Sequence, residues 1–307
     1  MASFRIGIVF PQTEIGDHRI AIRDFAQAVE GLGFSYLVAY DHVIGADVTH
    51  RPGWSMPYTV TSSFHEPLTL FSYLSGITER LNFTTGVMVA PQRQTVLLAK
   101  QAAALDVYSN GRLRLGVGLG WNRIEYEALG VEFAARNRRL EDQIRVMRRL
   151  WTETAVSEHG EFHTINEAGI KPLPVQRPIP ILVGGSSAPA MNRAARLGDG
   201  WLPVFPRPAE VCLASDAPRL MDAFCEEVRA AGRDPVGVTV DNGVLLGAAV
   251  SPPVRTIDDA VTLRAAWQEA GADGIYFDIQ GMGLSAPAGH VTMVRQLAAA
   301  LGVTPSA

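Results

Sequence analysis

Cysteine is nearly absent, with only Cys212 and Cys225 in 307 residues. Two thiols so placed, in what reads as one helical region, make neither a zinc site nor a disulfide framework, so the expectation is a reduced, cytoplasmic setting. No apolar run approaches the ~18 residues of a membrane span, and the chain enters its first strand at Phe4 without a charged leader and apolar signal core. An excess of charge of either sign is missing as well, with 27 Lys and Arg against 31 Asp and Glu. A net charge of -4 offers no footprint for nucleic acid. The one dense basic run, Arg136 to Arg149, interleaves Leu140, Ile144 and Met147 at helical spacing and reads as the solvated face of an amphipathic helix. His159 and His163 flank Gly160-Glu161-Phe162 with no third ligand nearby, so they read as a surface hairpin and no metal is expected.

What the chain has is apolar content, 47% of it, arranged in a repeating rhythm. Short β-branched runs begin at Phe4, Tyr36, Asn82, Leu113, Pro180, Gly200, Val238 and Gly274. Stretches with apolar residues at 3.6-residue spacing separate them: 19–32, 67–78, 96–107, 138–151, 189–197, 209–231, 257–270 and 291–301. Eight strand–helix units predict an α/β fold of the (β/α)8 TIM-barrel type, with insertion loops at its C-terminal rim. No linker divides the chain, so one domain is expected over 1–307.

In a barrel, chemistry gathers at the C-terminal ends of the strands. Asp41 and His42 follow the second strand, and histidine titrates near neutrality, which suits proton transfer. The segment from Ile44 to Glu66, with Trp54, Tyr58, Phe64, His50 and His65, exceeds an ordinary connection and reads as a lid or binding wall. After the fifth strand, Gly184-Gly185-Ser186-Ser187 precede a helix, a place suited to a phosphate; an ordinary capped loop is the alternative.

The fourth strand ends Gly116-Val117-Gly118-Leu119-Gly120-Trp121. Its glycines suggest a backbone surface open to a flat ring or a phosphate. It is not a dinucleotide fingerprint, because the third glycine comes one residue early. About 20 residues on, where an acidic ribose partner is expected, stands Arg136-Asn137-Arg138-Arg139.

Together with Thr85-Gly86-Val87, Ala90-Pro91-Gln92-Arg93, Ser109-Asn110-Gly111-Arg112, Glu125, Ala128-Leu129-Gly130 and Gly198-Asp199-Gly200-Trp201, these motifs resemble the bacterial luciferase-like flavin and deazaflavin oxidoreductases. The resemblance runs from the first strand to about residue 203 and is nearest to the deazaflavin branch. It implies that Asp41 contacts the cofactor and that His42 is the proton donor. It also implies a non-prolyl cis peptide behind the ring, at Gly86-Val87 or Val87-Met88. Leu119, Gly120, Gly184, Gly185, Ser186 and Ser187 complete the implied cofactor site. The family commonly forms dimers, so a homodimer is expected.

One departure stands out. The sugar-phosphate dehydrogenases of this branch carry a catalytic glutamate where this chain has Trp121, which cannot relay a proton. That argues against sugar-phosphate oxidation and makes Trp121 a wall against an apolar or unsaturated substrate. Glu125 reads as support for the start of the following helix, with a side chain pointing back towards the ring as the alternative. The leading expectation is hydride transfer between 8-hydroxy-5-deazaflavin (coenzyme F-420) and a small organic substrate. A monooxygenase using reduced FMN from a separate flavin reductase is the alternative, and a non-catalytic flavin-binding barrel is the third.

Overall fold

The computed structural model describes residues 3–54, 56, 58–204, 213–247 and 256–305. Eight parallel strands close into a barrel: β1 (Arg5–Val9), β2 (Tyr36–Ala39), β3 (Asn82–Thr85), β4 (Leu113–Val117), β7 (Ile181–Gly184), β8 (Gly200–Leu202), β9 (Thr239–Leu245) and β10 (Gly274–Asp278). They pair in chain order, and β1 joins β10 through Ile6↔Ile275 and Ile8↔Phe277 to complete the ring. Two further strands among the described residues, β5 (Val156–His159) and β6 (Thr164–Ala168), form an antiparallel hairpin outside the barrel.

Helices α1 (Arg19–Leu32), α2 (Pro67–Ser75), α3 (Thr95–Tyr108), α4 (Arg123–Ala128), α5 (Arg136–Thr152), α6 (Ala188–Leu197), α7 (Ala217–Ala230), α8 (Ile257–Glu269) and α9 (Ala288–Leu301) connect the strands. Local sequence explains their ends. Glu66 accepts the Thr69 N–H at 2.7 Å and Pro67 occupies the first position of α2, where its missing donor costs nothing. Gly33 closes α1 at φ 96°, a conformation that favours glycine. Most of the apolar core lies between barrel and helices. No helix among the described residues is long and apolar enough to cross a membrane.

Inside the barrel the side chains form layers. At the N-terminal end, buried Asp241 takes Arg5 at 3.1 Å and Arg114 at 2.6 Å. Above it pack Val9, Tyr36, Val38, Leu182, Leu202 and Tyr276, with Tyr40 and Val87 on top. The top layer opens toward the rim, where Tyr40 donates to Asp278 at 2.7 Å.

Several expectations shift. Regular pairing of β3 ends at Thr85, before the cis peptide Gly86-Val87, and only a single bridge, Met88↔Val117, continues it. His163 is not a surface residue. Although β5 and β6 do form a hairpin, His163 turns inward, bonding Asp142 at 2.7 Å and Thr95 at 2.5 Å. His163 immediately precedes β6 and continues its alternation, with His163 and Ile165 buried and Thr164 exposed, which puts His163 against α3 and α5. Cys212 and the first residues of the helix expected over 209–231 lie outside the described residues.

Candidate active site

β2 ends at the rim with Asp41 and His42, whose side chains take different directions and different partners. Asp41 is buried, and both its oxygens are engaged: Arg93 donates to them at 2.6 and 2.7 Å, and the Val89 N–H at 2.8 Å. Its role visible here is to tie β2 to the turn after β3. His42 places Nδ1 3.0 Å from Glu125, which also accepts the Val43 N–H at 3.0 Å and Gln92 Nε2 at 3.1 Å.

Glu125 is therefore more than support for α4. It is 1% exposed. Burial alone raises a carboxyl, but the hydrogen bonds from His42, Gln92 and Val43 outweigh it and hold Glu125 below the ordinary glutamate range. An ionised Glu125 accepts, so His42 donates from Nδ1 and keeps Nε2 for another partner.

Aromatic rings cover His42. Tyr58 lies 4.9 Å away, Phe64 4.8 Å and Trp121 5.4 Å between centroids, and Trp54 adds a further ring 6.3 Å from Trp121. Three of these belong to the Ile44–Glu66 segment and one to the end of β4, so the expected lid and the expected wall meet over the histidine. The lid closes on itself at its neck. Val60 donates to Ala46 at 2.8 Å, and Gly45 lies so close to the Thr59 backbone that no side chain would fit. A cleft of about 200 Å³ lies beneath it, with His42, Tyr58, Ser62, Phe64 and Asn122 in its wall. His65 sits apart, edge-on to Phe10, and His50 is exposed.

The glycines at and after the end of β4, with Gly184 of β7, sit against the stretch 85–89. A Cβ on Gly118 or on Gly184 would collide with Val87, one on Gly120 would stand 2.7 Å from Val89, and one on Gly116 would strike the Thr85 carbonyl. They admit the turn after β3. Val87 thus lies pressed between Gly118 and Gly184 and remains half-buried, as does Gly86, between buried Thr85 and Met88. Met88 faces away into the outer core, fully buried. Leu119 accepts from the Tyr126 hydroxyl at 2.6 Å.

The Gly184–Ser187 turn is held by Trp201, which donates to the Gly185 carbonyl at 2.8 Å. Gly185 spends its N–H on Leu202, Pro189 has none, and Ala190 and Met191 turn back to Ser187. Ser187 is the N-cap residue of α6 and makes no side-chain cap bond. The N–H groups of Ser187 and Ala188 are the ones a phosphate could meet there. A larger groove, about 670 Å³, lies outside the barrel against Thr95, Lys100 and His163 and shares no residue with this rim.

Tyr40, Gln92 and the exact placement of Glu125 went unseen in the sequence. Gln92 and Glu125 approach His42 from distant segments, and the one signal for Tyr40 is its place beside Asp41 at the strand end.

The family model described as luciferase-like monooxygenase matches residues 7–303. An uncharacterized protein of Mycobacterium tuberculosis is 36% identical over 182 residues, 58% of this chain and 62% of that protein. An FMNH2-dependent dimethylsulfone monooxygenase of Pseudomonas putida is 33% identical over 183 residues, 58% of this chain and 47% of the relative. The chain thus spans less than two thirds of the length of these relatives. Among solved structures, an F420-dependent secondary alcohol dehydrogenase in complex with an F420-acetone adduct superposes with a TM-score of 0.74 at 15% identity, covering 98% of this chain and 99% of the other. The barrel fold is common to the two.

Proposed function

This chain belongs to the luciferase-like monooxygenase family, and from that premise we propose that it is a deazaflavin-dependent oxidoreductase acting on a small organic substrate. The observation that carries the reading is His42, fixed at the barrel mouth by buried Glu125 and enclosed by aromatic rings. A histidine whose Nδ1–H is spent on a carboxylate presents Nε2 in one orientation, which is what a positioned proton donor or acceptor needs.

The residues fit a flavin-type group. Half-buried Gly86 and Val87, the latter against Gly118 and Gly184, would back a ring, with Leu119 and Gly120 following Gly118 along the chain. The Gly184–Ser187 turn with the uncapped α6 would take its phosphate. When bound, 8-hydroxy-5-deazaflavin (coenzyme F-420) supplies or accepts the hydride. The protein does the rest. Asp41 and Arg93 hold the turn that presents Val87, His42 delivers or removes the proton at Nε2, and Trp121 with the lid rings excludes water. The P. putida relative supports a second reading, a monooxygenase using reduced FMN from a partner reductase. The covered rim also suits oxygen chemistry, which water must not enter.

Fluorescence titration of the purified apoprotein with FMN and with 8-hydroxy-5-deazaflavin separates the two. Deazaflavin binding is expected, and the His42→Ala variant should keep that binding while turnover falls about 10²-fold or more. Tight FMN binding with no deazaflavin response would overturn the first reading in favour of the second.

A further inference from the structure

The groove outside the barrel has a chemical character that the mouth lacks. It holds about 670 Å³, within the roughly 300–1,000 Å³ usual for small-molecule sites. Arg139, Lys100 and Lys171 line it, and no carboxylate does. None of the three is in a salt bridge among the described residues. Lys100 donates to the Lys171 carbonyl and Arg139 Nη2 to the Arg93 carbonyl at 3.3 Å, so the acceptors they have are neutral. Cations gathered in one concave surface, with no acid between them, hold a positive field over it.

Arg139 carries the more specific sign. Its Nε is buried and meets no acceptor among the described residues, and its guanidinium stands 6.0 Å from the Phe162 ring. A buried donor left alone is costly, so it points to an acceptor brought from outside. Arg93, whose carbonyl Arg139 holds, is two residues before α3, and the start of that helix is equally unanswered. Gln94 makes no cap bond, the first turn has no acidic residue, and the N–H groups of Thr95, Val96 and Leu97 find no acceptor among the described residues. All four residues line the groove. Its apolar part is open, with Val96 42% and Leu97 52% exposed. Its buried base is fixed: His163 bonds Asp142 and Thr95, and Gln143 donates to Thr95 and to the Arg93 carbonyl, both at 3.1 Å. A guest would meet a surface already ordered, which lowers the cost of binding.

We propose that this groove is a second ligand site, for a phosphate monoester with a short apolar body. Arg139 and the free N–H groups of α3 take the phosphate oxygens, Lys100 and Lys171 supply the surrounding field, and Val96 and Leu97 cover the apolar body. A neutral molecule would leave the cations unanswered. Inorganic phosphate would leave the two aliphatic side chains in water. The site shares no residue with the barrel mouth and does not rest on the reading of His42.

The test titrates the purified full chain, in phosphate-free buffer, with hexyl phosphate and hexan-1-ol by saturation-transfer NMR, and with inorganic phosphate by its displacement of hexyl phosphate. Hexyl phosphate is expected to bind with a Kd of about 1 mM or tighter, and the other two at least about tenfold more weakly. Arg139→Gln should weaken hexyl phosphate about tenfold or more, and Lys100→Gln combined with Lys171→Gln about threefold to fivefold, because exposed charges are partly screened. Ser187→Asp sets a like charge at the phosphate turn of the barrel mouth and should leave this binding within about twofold, which locates the ligand in the groove. The proposal is overturned by no hexyl phosphate binding at roughly 10 mM, by hexan-1-ol or inorganic phosphate binding as tightly, by an unchanged affinity in the Arg139 or the lysine variant, or by loss of binding in Ser187→Asp. If Arg139→Gln does not fold by circular dichroism, the lysine variant and the three probes on the parent chain decide.

Discussion

Replacing Glu125 in two ways separates its structural work from its chemical work. Glu125→Ala strips the acceptor from His42 Nδ1, the Val43 N–H and Gln92 Nε2 at once. Val43 is exposed and recovers water, but His42 and Gln92 do not, as they lie under the lid and in the core. Two buried donors left unpaired, plus the lost side-chain burial, cost about 3–5 kcal/mol. At about 2 °C per kcal/mol for a chain of this size, the melting temperature should fall by about 6–10 °C. Glu125→Gln behaves differently. Its oxygen still accepts from His42 and Val43, and its new amide meets Gln92, whose own oxygen is buried without a partner. A flip of the Gln92 amide turns that orphan toward the new donor and repairs the contact. Scanning calorimetry should then place Glu125→Gln within about 2 °C of the parent, while its turnover drops at least about tenfold because the charge that supports the His42 proton is gone. The reasoning fails if Glu125→Ala melts with the parent, or if Glu125→Gln is destabilised as much as Glu125→Ala.

Two further outcomes test the barrel itself. Gly118→Ala drives a methyl into Val87, an overpacking worth about 1–3 kcal/mol, so melting should fall by roughly 2–6 °C and flavin affinity should fall with it as Val87 is displaced. Asp241 is buried, which alone would raise its carboxyl, but Arg114 and Arg5 push it down to about 2. The stability it contributes is therefore fully present above the unfolded value of 3.8 and is lost as pH falls from there through about 2. Asp241→Asn should cost about 3–5 kcal/mol at neutral pH by stranding two guanidinium groups. Urea unfolding between pH 5 and 2 should show a flatter acid slope than the parent, and an unchanged slope would refute the assignment.

The barrel was legible because its strands and helices differ in period: β-branched runs end where the 3.6-residue pattern begins, and each pair makes one unit. Asp41 and His42 followed from the rule that strand ends carry function. The glycines of β4 were visible too, but their purpose was not. Gly116, Gly118 and Gly120 alternate, and alternate residues of an extended chain share one face, a pattern that calls for a common neighbour. Val87 and Val89 prove to be part of that neighbour, and nothing in the spacing tells a valine from a cofactor. Glu125 was harder still. It meets His42 across 83 positions of chain, and a glutamate in the first turn of a helix is so often placed there for the helix dipole that its burial leaves no mark in the sequence. His163 misled for a related reason, since the hairpin signal is local while its inward turn depends on Asp142 and Thr95.

The pinched neck of the lid has a consequence for how this surface can be altered. Because Ala46 and Val60 are bonded across it, the stretch between them leaves and re-enters the barrel at nearly one point, and its length is decoupled from the spacing of β2 and α2. Below the neck, His42 is anchored by Glu125 and the start of α2 by Glu66, neither of which belongs to the excursion. The tip is thus a cassette: a segment of another length or sequence can be spliced between the two neck residues, changing which molecules are admitted while the proton-handling residue stays where it is.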